Sequence, residues 1–113
     1  MRLTADLFVS ALLRRIFADG GTGVIEARGA AQAGAVFIRV RHRDGAESLL
    51  APAPQSLFDT ARPEDRMFEL RLTRSDAPTV SDLLARERRF DADIWIVEIE
   101  TDAPDRYVTL AAP

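Results

Sequence analysis

Apolar residues recur every three to four positions near the N-terminus: Leu7, Phe8, Leu12 and Ile16, joined by Val9, Leu13 and Phe17. That spacing lines them along a helix. Thr4 is placed to cap it, Asp6 sits in its first turn, and Gly20 and Gly21 stop it. The pattern predicts a helix over residues 4–19. The period then drops to two. Residues 22–28 form a short extended run around Val24 and Ile25. Over residues 35–43, Val36, Ile38 and Val40 point one way and Phe37, Arg39, Arg41 and Arg43 the other. Residues 29–34 between these runs read as a loop or a single helical turn. Asp44-Gly45 signals a hairpin, and residues 47–51 return from it. Pro52, Pro54 and Pro63 break the next stretch into a loop of about a dozen residues. Residues 67–74 alternate again, with Phe68, Leu70 and Leu72 on one face and Glu69, Arg71 and Thr73 on the other. A second helix is predicted over 79–90, with Pro78 at its start, Thr79 or Ser81 as its cap, and Val80, Leu83 and Leu84 inward. The strongest strand covers 93–100, with Trp95, Val97 and Ile99 to one side and Ile94, Ile96, Glu98 and Glu100 to the other. Residues 107–110 read as a short edge strand.

This order, α-β-β-β-β-α-β, predicts one α+β domain spanning residues 1–113. The expected sheet is mostly antiparallel, with about five strands. The N-terminal helix and the helix before the last main strand would both pack on one face. A chain of 113 residues is one domain by length.

Composition narrows the chemistry. Hydrophobic residues make up 47% and charged residues 29%, as in a folded globular protein. The absence of cysteine removes disulfides, thiolate nucleophiles and cysteine zinc sites. All 15 basic residues are arginine, so Schiff-base and phosphate-loop lysines are excluded. The net charge of −3 argues against a nucleic-acid partner. No run spans a bilayer. The apolar stretch 7–13 is followed at once by Arg14 and Arg15, so it reads as a helix face and not as an export signal. A cytoplasmic protein without cofactor or metal is expected.

Three segments carry a resemblance: LFVSALLRR at 7–15, PAPQSLFD at 52–59 and RFDADIWIVEIE at 89–100. They resemble a family of small bacterial proteins of alphaproteobacterial type, domain of unknown function fourteen ninety-one. The resemblance extends over nearly the whole chain. It implies no activity and carries over no catalytic residue.

Arg39, Arg41 and Arg43 stand in a row on one strand face. They read first as an ionic ladder against Glu98 and Glu100, or Glu69, on neighbouring strands. The alternative is an anion site. His42 faces away from them; with only Asp44 and Glu47 near it in sequence, it makes a poor metal site. The carboxylates Asp91, Asp93, Glu98 and Glu100 lack a visible cleft for acid–base work. Gly20, Gly21 and Gly23 follow a helix and precede a strand, the reverse of a nucleotide loop. The proline-ordered loop offers Gln55, Ser56, Asp59, Arg62 and Arg66 for a ligand, with Leu57 and Phe58 as contact residues; no nucleophile elbow surrounds Ser56. Phe37, Ile94 and Ile96 are expected to form an outward apolar patch on a charged face, suited to a symmetric dimer. The preferred function is a non-catalytic, homodimeric protein-interaction module. The alternative is a binder of, or an enzyme on, a small anion held by Arg39, Arg41, Arg62 and Arg66.

Overall fold

The computed structural model describes residues 3–54 and 66–111. Helix α1 (Ala5–Ala18) buries Ala5, Val9, Leu12 and Ile16, one turn apart along a single side. Thr4 precedes it in extended conformation without a side-chain cap. The first amides are instead satisfied from across the fold: Ala5 and Asp6 donate to the carbonyls of Gln32 and Ala31 at 3.0 and 2.9 Å. Gly20, at φ +80°, turns the chain out of the helix, and Gly21 N–H closes on Ile16 O at 2.9 Å.

The strands are β1 (Gly23–Ala27), β2 (Val36–Arg41), β3 (Glu47–Pro52), β4 (Met67–Ser75), β5 (Trp95–Glu100) and β6 (Thr109–Leu110), with α2 (Ala77–Phe90) between β4 and β5. They form one six-stranded sheet in the order β1-β5-β2-β3-β4-β6. The sheet is mixed and not purely antiparallel: three of its five strand pairs are antiparallel, but β5 runs parallel to β2, and β6 parallel to β4. The reason is the crossover. From the end of β4 the chain passes through α2 and returns in the middle of the sheet, where β5 inserts between β1 and β2.

That crossover also places the two helices on opposite faces, where the sequence pattern suggested one. Under α1 lie Val36, Ile38, Val40, Leu50, Phe68, Trp95, Val97 and Ile99. Under α2 lie Phe37, Leu49, Ala51, Ile94 and Ile96, packed by Val80 and Leu84. The expected outward patch of Phe37, Ile94 and Ile96 is therefore core: the three are 5%, 2% and 6% exposed. Central strands flanked by helices on both faces are apolar on both. The later halves of β2 and β5, past the apolar contacts of α2, carry the charged residues Arg39, Arg41, Glu98 and Glu100.

Two local details also differ from the pattern. The α2 cap is Asp76, whose Oδ1 accepts the Thr79 amide at 2.8 Å, so the helix starts earlier than Thr79. In β4 the register against β3 shifts, pairing Leu50 with Leu70 but Leu49 with Leu72. Such a bulge moves the following side chains to the other face. Phe68 accordingly joins the α1 layer and Leu72 the α2 layer, while Leu70 is half exposed. Among the described residues no helix is long and apolar enough to cross a membrane.

Candidate functional site

The arginine row lies where register puts it. Arg39 stands beside Glu98 and Arg41 beside Glu100 on parallel β5, and Arg41 faces Glu47 on β3. Arg39 Nε lies 3.5 Å from both Glu26 and Glu47, and its Nη2 donates to Ser81 Oγ of α2 at 2.6 Å. Arg41 reaches Glu47 at 3.7 Å and Glu98 and Glu100 at 3.9 Å. Four carboxylates thus surround two guanidiniums, and Glu69 instead pairs with Arg71 at 3.4 Å. Arg39 and Arg41 therefore stand in an ionic lattice, whereas the Arg43 side chain has no ion pair among the described residues.

Glu26 is the group this lattice serves worst. Burial pushes its carboxyl above the ordinary range; Arg39 pulls it down, and Glu98 and Glu47 push it further up. A raised pKa means the folded state holds the proton more tightly than the unfolded chain. The resulting stability is present below the ordinary value of 4.5 and is lost as pH rises through the folded value. Glu26→Gln should therefore gain melting temperature relative to wild type between pH 4 and pH 7. Parallel melts across that range check it, and a gain that shrinks with pH would mean that Arg39 outweighs burial.

Beside the lattice, the β2–β3 turn and the exit of β5 enclose a depression of about 370 Å³, lined by Arg41, His42, Arg43, Glu100, Thr101 and Asp102. Its back wall is a hydroxyl–imidazole–carboxylate string that sequence spacing did not reveal. Ser48 Oγ lies 2.7 Å from His42 Nε2, and His42 Nδ1 lies 3.1 Å from Asp102 Oδ1. Asp102 also accepts the Arg43 amide at 3.2 Å. That bond, then the histidine contact, holds its carboxyl below the usual range. Behind Ser48 sits Arg74, a non-glycine residue at φ +46°, whose amide donates to Ser48 Oγ at 3.0 Å. Ser48 Oγ thus accepts the Arg74 amide and shares a second hydrogen bond with His42 Nε2.

These are the groups of an acyl-transfer triad, but the burial runs backwards. Ser48, the would-be nucleophile, is 2% exposed and bonded on two sides, whereas the Asp102 side chain is half open. A substrate carbonyl cannot reach the hydroxyl. The string pins the β2–β3 turn to the ends of β4 and β5, assisted by Arg74 Nη1 on Asp44 at 2.9 Å. Among the described residues no group of three histidines or carboxylates is placed to hold a metal ion.

The other expected site residues do not converge here. Arg66 lies on the α1 side, donating to Leu3 O at 3.2 Å and stacked 5.6 Å over the Phe8 ring, across the sheet from Arg39 and Arg41. Gln55, Ser56, Leu57, Phe58, Asp59 and Arg62 lie outside the described residues. One surface was overlooked in the sequence, the outer end of α2. Phe90 is 84% exposed there, beside Arg86, Arg88 and Arg89. None of these three guanidiniums has an ion pair or hydrogen bond among the described residues, whereas Arg39, Arg41, Arg71 and Arg74 all do.

Residues 3–109 match the family model for the protein of unknown function DUF1491. The chain belongs to the DUF1491 family. Its fold is shared by solved relatives. The solution structure of protein Atu0922 from A. tumefaciens is 50% identical, with a TM-score of 0.87 over 100% of this chain and 98% of that one. The crystal structure of a DUF1491 family protein from Caulobacter crescentus CB15 is 31% identical, with a TM-score of 0.74 over 89% and 88%. An NMR structure of a DUF1491 family protein from the same organism is 27% identical, with a TM-score of 0.80 over 99% of both chains. A comparison with curated proteins finds no match. The Phe90 end of α2 falls within the RFDADIWIVEIE segment that carried the family resemblance.

Proposed function

We propose that this DUF1491 protein is a non-catalytic protein-interaction module that works as a homodimer and binds a partner protein at the outer end of α2. The observation that carries this is Phe90. Single exposed apolar side chains are ordinary, but this one is 84% exposed on a helix end crowded with arginines that bind nothing else among the described residues. Aromatic and arginine side chains are the types that dominate interface energetics. The closed Ser48 hydroxyl and the carboxylates that ring Arg39 and Arg41 support the non-catalytic half of the reading.

Site-specific photo-crosslinking tests it and needs no candidate partner. Benzoylphenylalanine placed at position 90 should give, in cells that carry the protein, a discrete adduct with a second kind of protein. The same group at exposed Asp105 should not. No adduct at 90, adducts of equal yield at both positions, or an adduct of twice the chain's own mass alone would each remove α2 as the partner surface.

A further inference from the structure

The apolar side of α2 does not end where its burial ends. Val80 and Leu84 are buried, and Leu83 packs against the same layer. Phe90 follows Leu83 by about two turns and so returns to the same side of the helix. There it is 84% exposed, the most open of the large apolar residues described. Arg86 and Arg89 precede it within one turn. By helical period Arg86 falls between Arg89 and Phe90 around the axis, and the three share one side. Arg88 falls on the other side.

Among the described residues nothing balances these two guanidiniums. Glu87 pairs with Arg71 at 3.2 Å, and Asp91 Oδ1 accepts the Asp93 amide at 2.9 Å. Asp82, one turn before Arg86, makes no ion pair with it, and neither Arg86 nor Arg89 has any ion pair or hydrogen bond. A cation in a last turn is stabilised by the open carbonyls of the helix end, which accounts for Arg88 and Arg89. It does not account for Arg86, a full turn from that end, nor for an aromatic ring left in water beside two free guanidiniums.

An occupant of this patch has to answer both parts of it. Each guanidinium offers paired donors that a carboxylate fills in parallel, and the ring is covered by a large apolar side chain. An acidic stretch of polypeptide carries both. A nucleic acid carries the charge, but it brings a continuous row of phosphates against a chain of net charge −3, with Asp82, Asp91 and Asp93 close to the patch in sequence. Opposite charges across an interface also steer the encounter and reject other partners.

We propose that the partner segment docking at the outer end of α2 is acidic, with carboxylates that engage Arg86 and Arg89 and a large apolar side chain that covers Phe90. The proposal rests on the reading of α2 as the partner surface and names the chemistry of what sits there.

The photo-crosslinker at position 90 carries the test. With Arg86→Glu/Arg89→Glu in the same chain, adduct yield should fall about tenfold or more. Arg88→Glu, the same charge change on the other side of the helix, should leave the yield nearly unchanged. All three positions are exposed, so each variant should melt with the unaltered chain. Digestion and tandem mass spectrometry of the unaltered adduct should place the link in a peptide with Asp or Glu residues on either side of the linked residue, a readout that needs no variant. No adduct at all removes the α2 surface and this proposal together. An adduct that survives the double reversal, an equal loss with Arg88→Glu, a linked peptide without neighbouring carboxylates, or an adduct digested by nuclease would each overturn the acidic segment. The first three of these leave α2 standing as the partner surface.

Discussion

Gly29→Ala should lower the melting temperature by roughly 10 °C or more. The residue is not there for its dihedral freedom; it is there because backbone passes over backbone. A Cβ at position 29 would fall on the Asp93 carbonyl oxygen, and one at Gly34 would lie 2.6 Å from the same atom. The loop over 28–34 closes on this point. Ala30 N–H donates to Asp93 O at 2.9 Å, and Ala30 O accepts both the Gly34 amide at 3.2 Å and the Trp95 indole at 2.8 Å. The same loop supplies the carbonyls of Ala31 and Gln32 that start α1. Moving it by the width of a methyl group therefore strains the entry of β5, the Trp95 contact and the α1 cap together. The cost should be about 3 kcal/mol. Gly45→Ala provides the contrast: nothing lies within 4 Å of its added carbon, but φ is +91°. Its cost should be about 1 kcal/mol of backbone strain alone. Thermal melts of the two variants decide the matter. A Gly29→Ala protein that melts with or above Gly45→Ala would show that the loop yields freely.

Phe68→Ala should be the most damaging core truncation in β4, at about 3–5 kcal/mol. Phe68 is 1% exposed, and its ring centroid sits 5.7 Å from that of Phe8 on α1. Its backbone pairs with Leu110 and accepts the Ala111 amide at 2.7 Å, so the same residue seats the final strand. Removing the ring leaves a cavity at the meeting point of α1, β4 and β6. Leu70→Ala, two positions along, should cost under about 1 kcal/mol, because half of that side chain already meets water. Denaturant unfolding measures both. Equal losses would contradict the difference in burial between these two residues, which share one face ahead of the β4 bulge.

That bulge marks where local pattern stopped being informative. Elements were legible: the periods of α1 and α2, the alternation in β2 and β5, and the Asp44-Gly45 turn all correspond to what the chain forms. Their assembly was not. The rule that alternate strand residues share a face held in β2 and failed in β4, because one extra residue exchanges the two sides and no residue type announces it. The polar reading of the Arg39 side was half right. Its later residues, Arg39 and Arg41, do carry charge; its earlier ones, Phe37, Ile94 and Ile96, are apolar because α2 covers them. Which face a crossover helix takes depends on strand order, and strand order is a long-range fact. The Ser48–His42–Asp102 string was hidden for the same reason. Asp102 meets His42 only because β5 lies parallel to β2, which no local spacing encodes. The ionic lattice was anticipated because charge pairs across strands are a short list once a row of arginines is seen.

The placement of α1 and α2 on opposite faces separates the protein into two halves that communicate only through a sheet's backbone. Val36 and Phe37 are neighbours in sequence, yet one packs under α1 and the other under α2. A side chain that changes size in one layer meets no partner from the other. Each layer can therefore drift at its own pace, one remodelling its outer surface toward a new binding requirement while the other keeps the strands in register. For a small fold, that amounts to two evolvable surfaces on one scaffold.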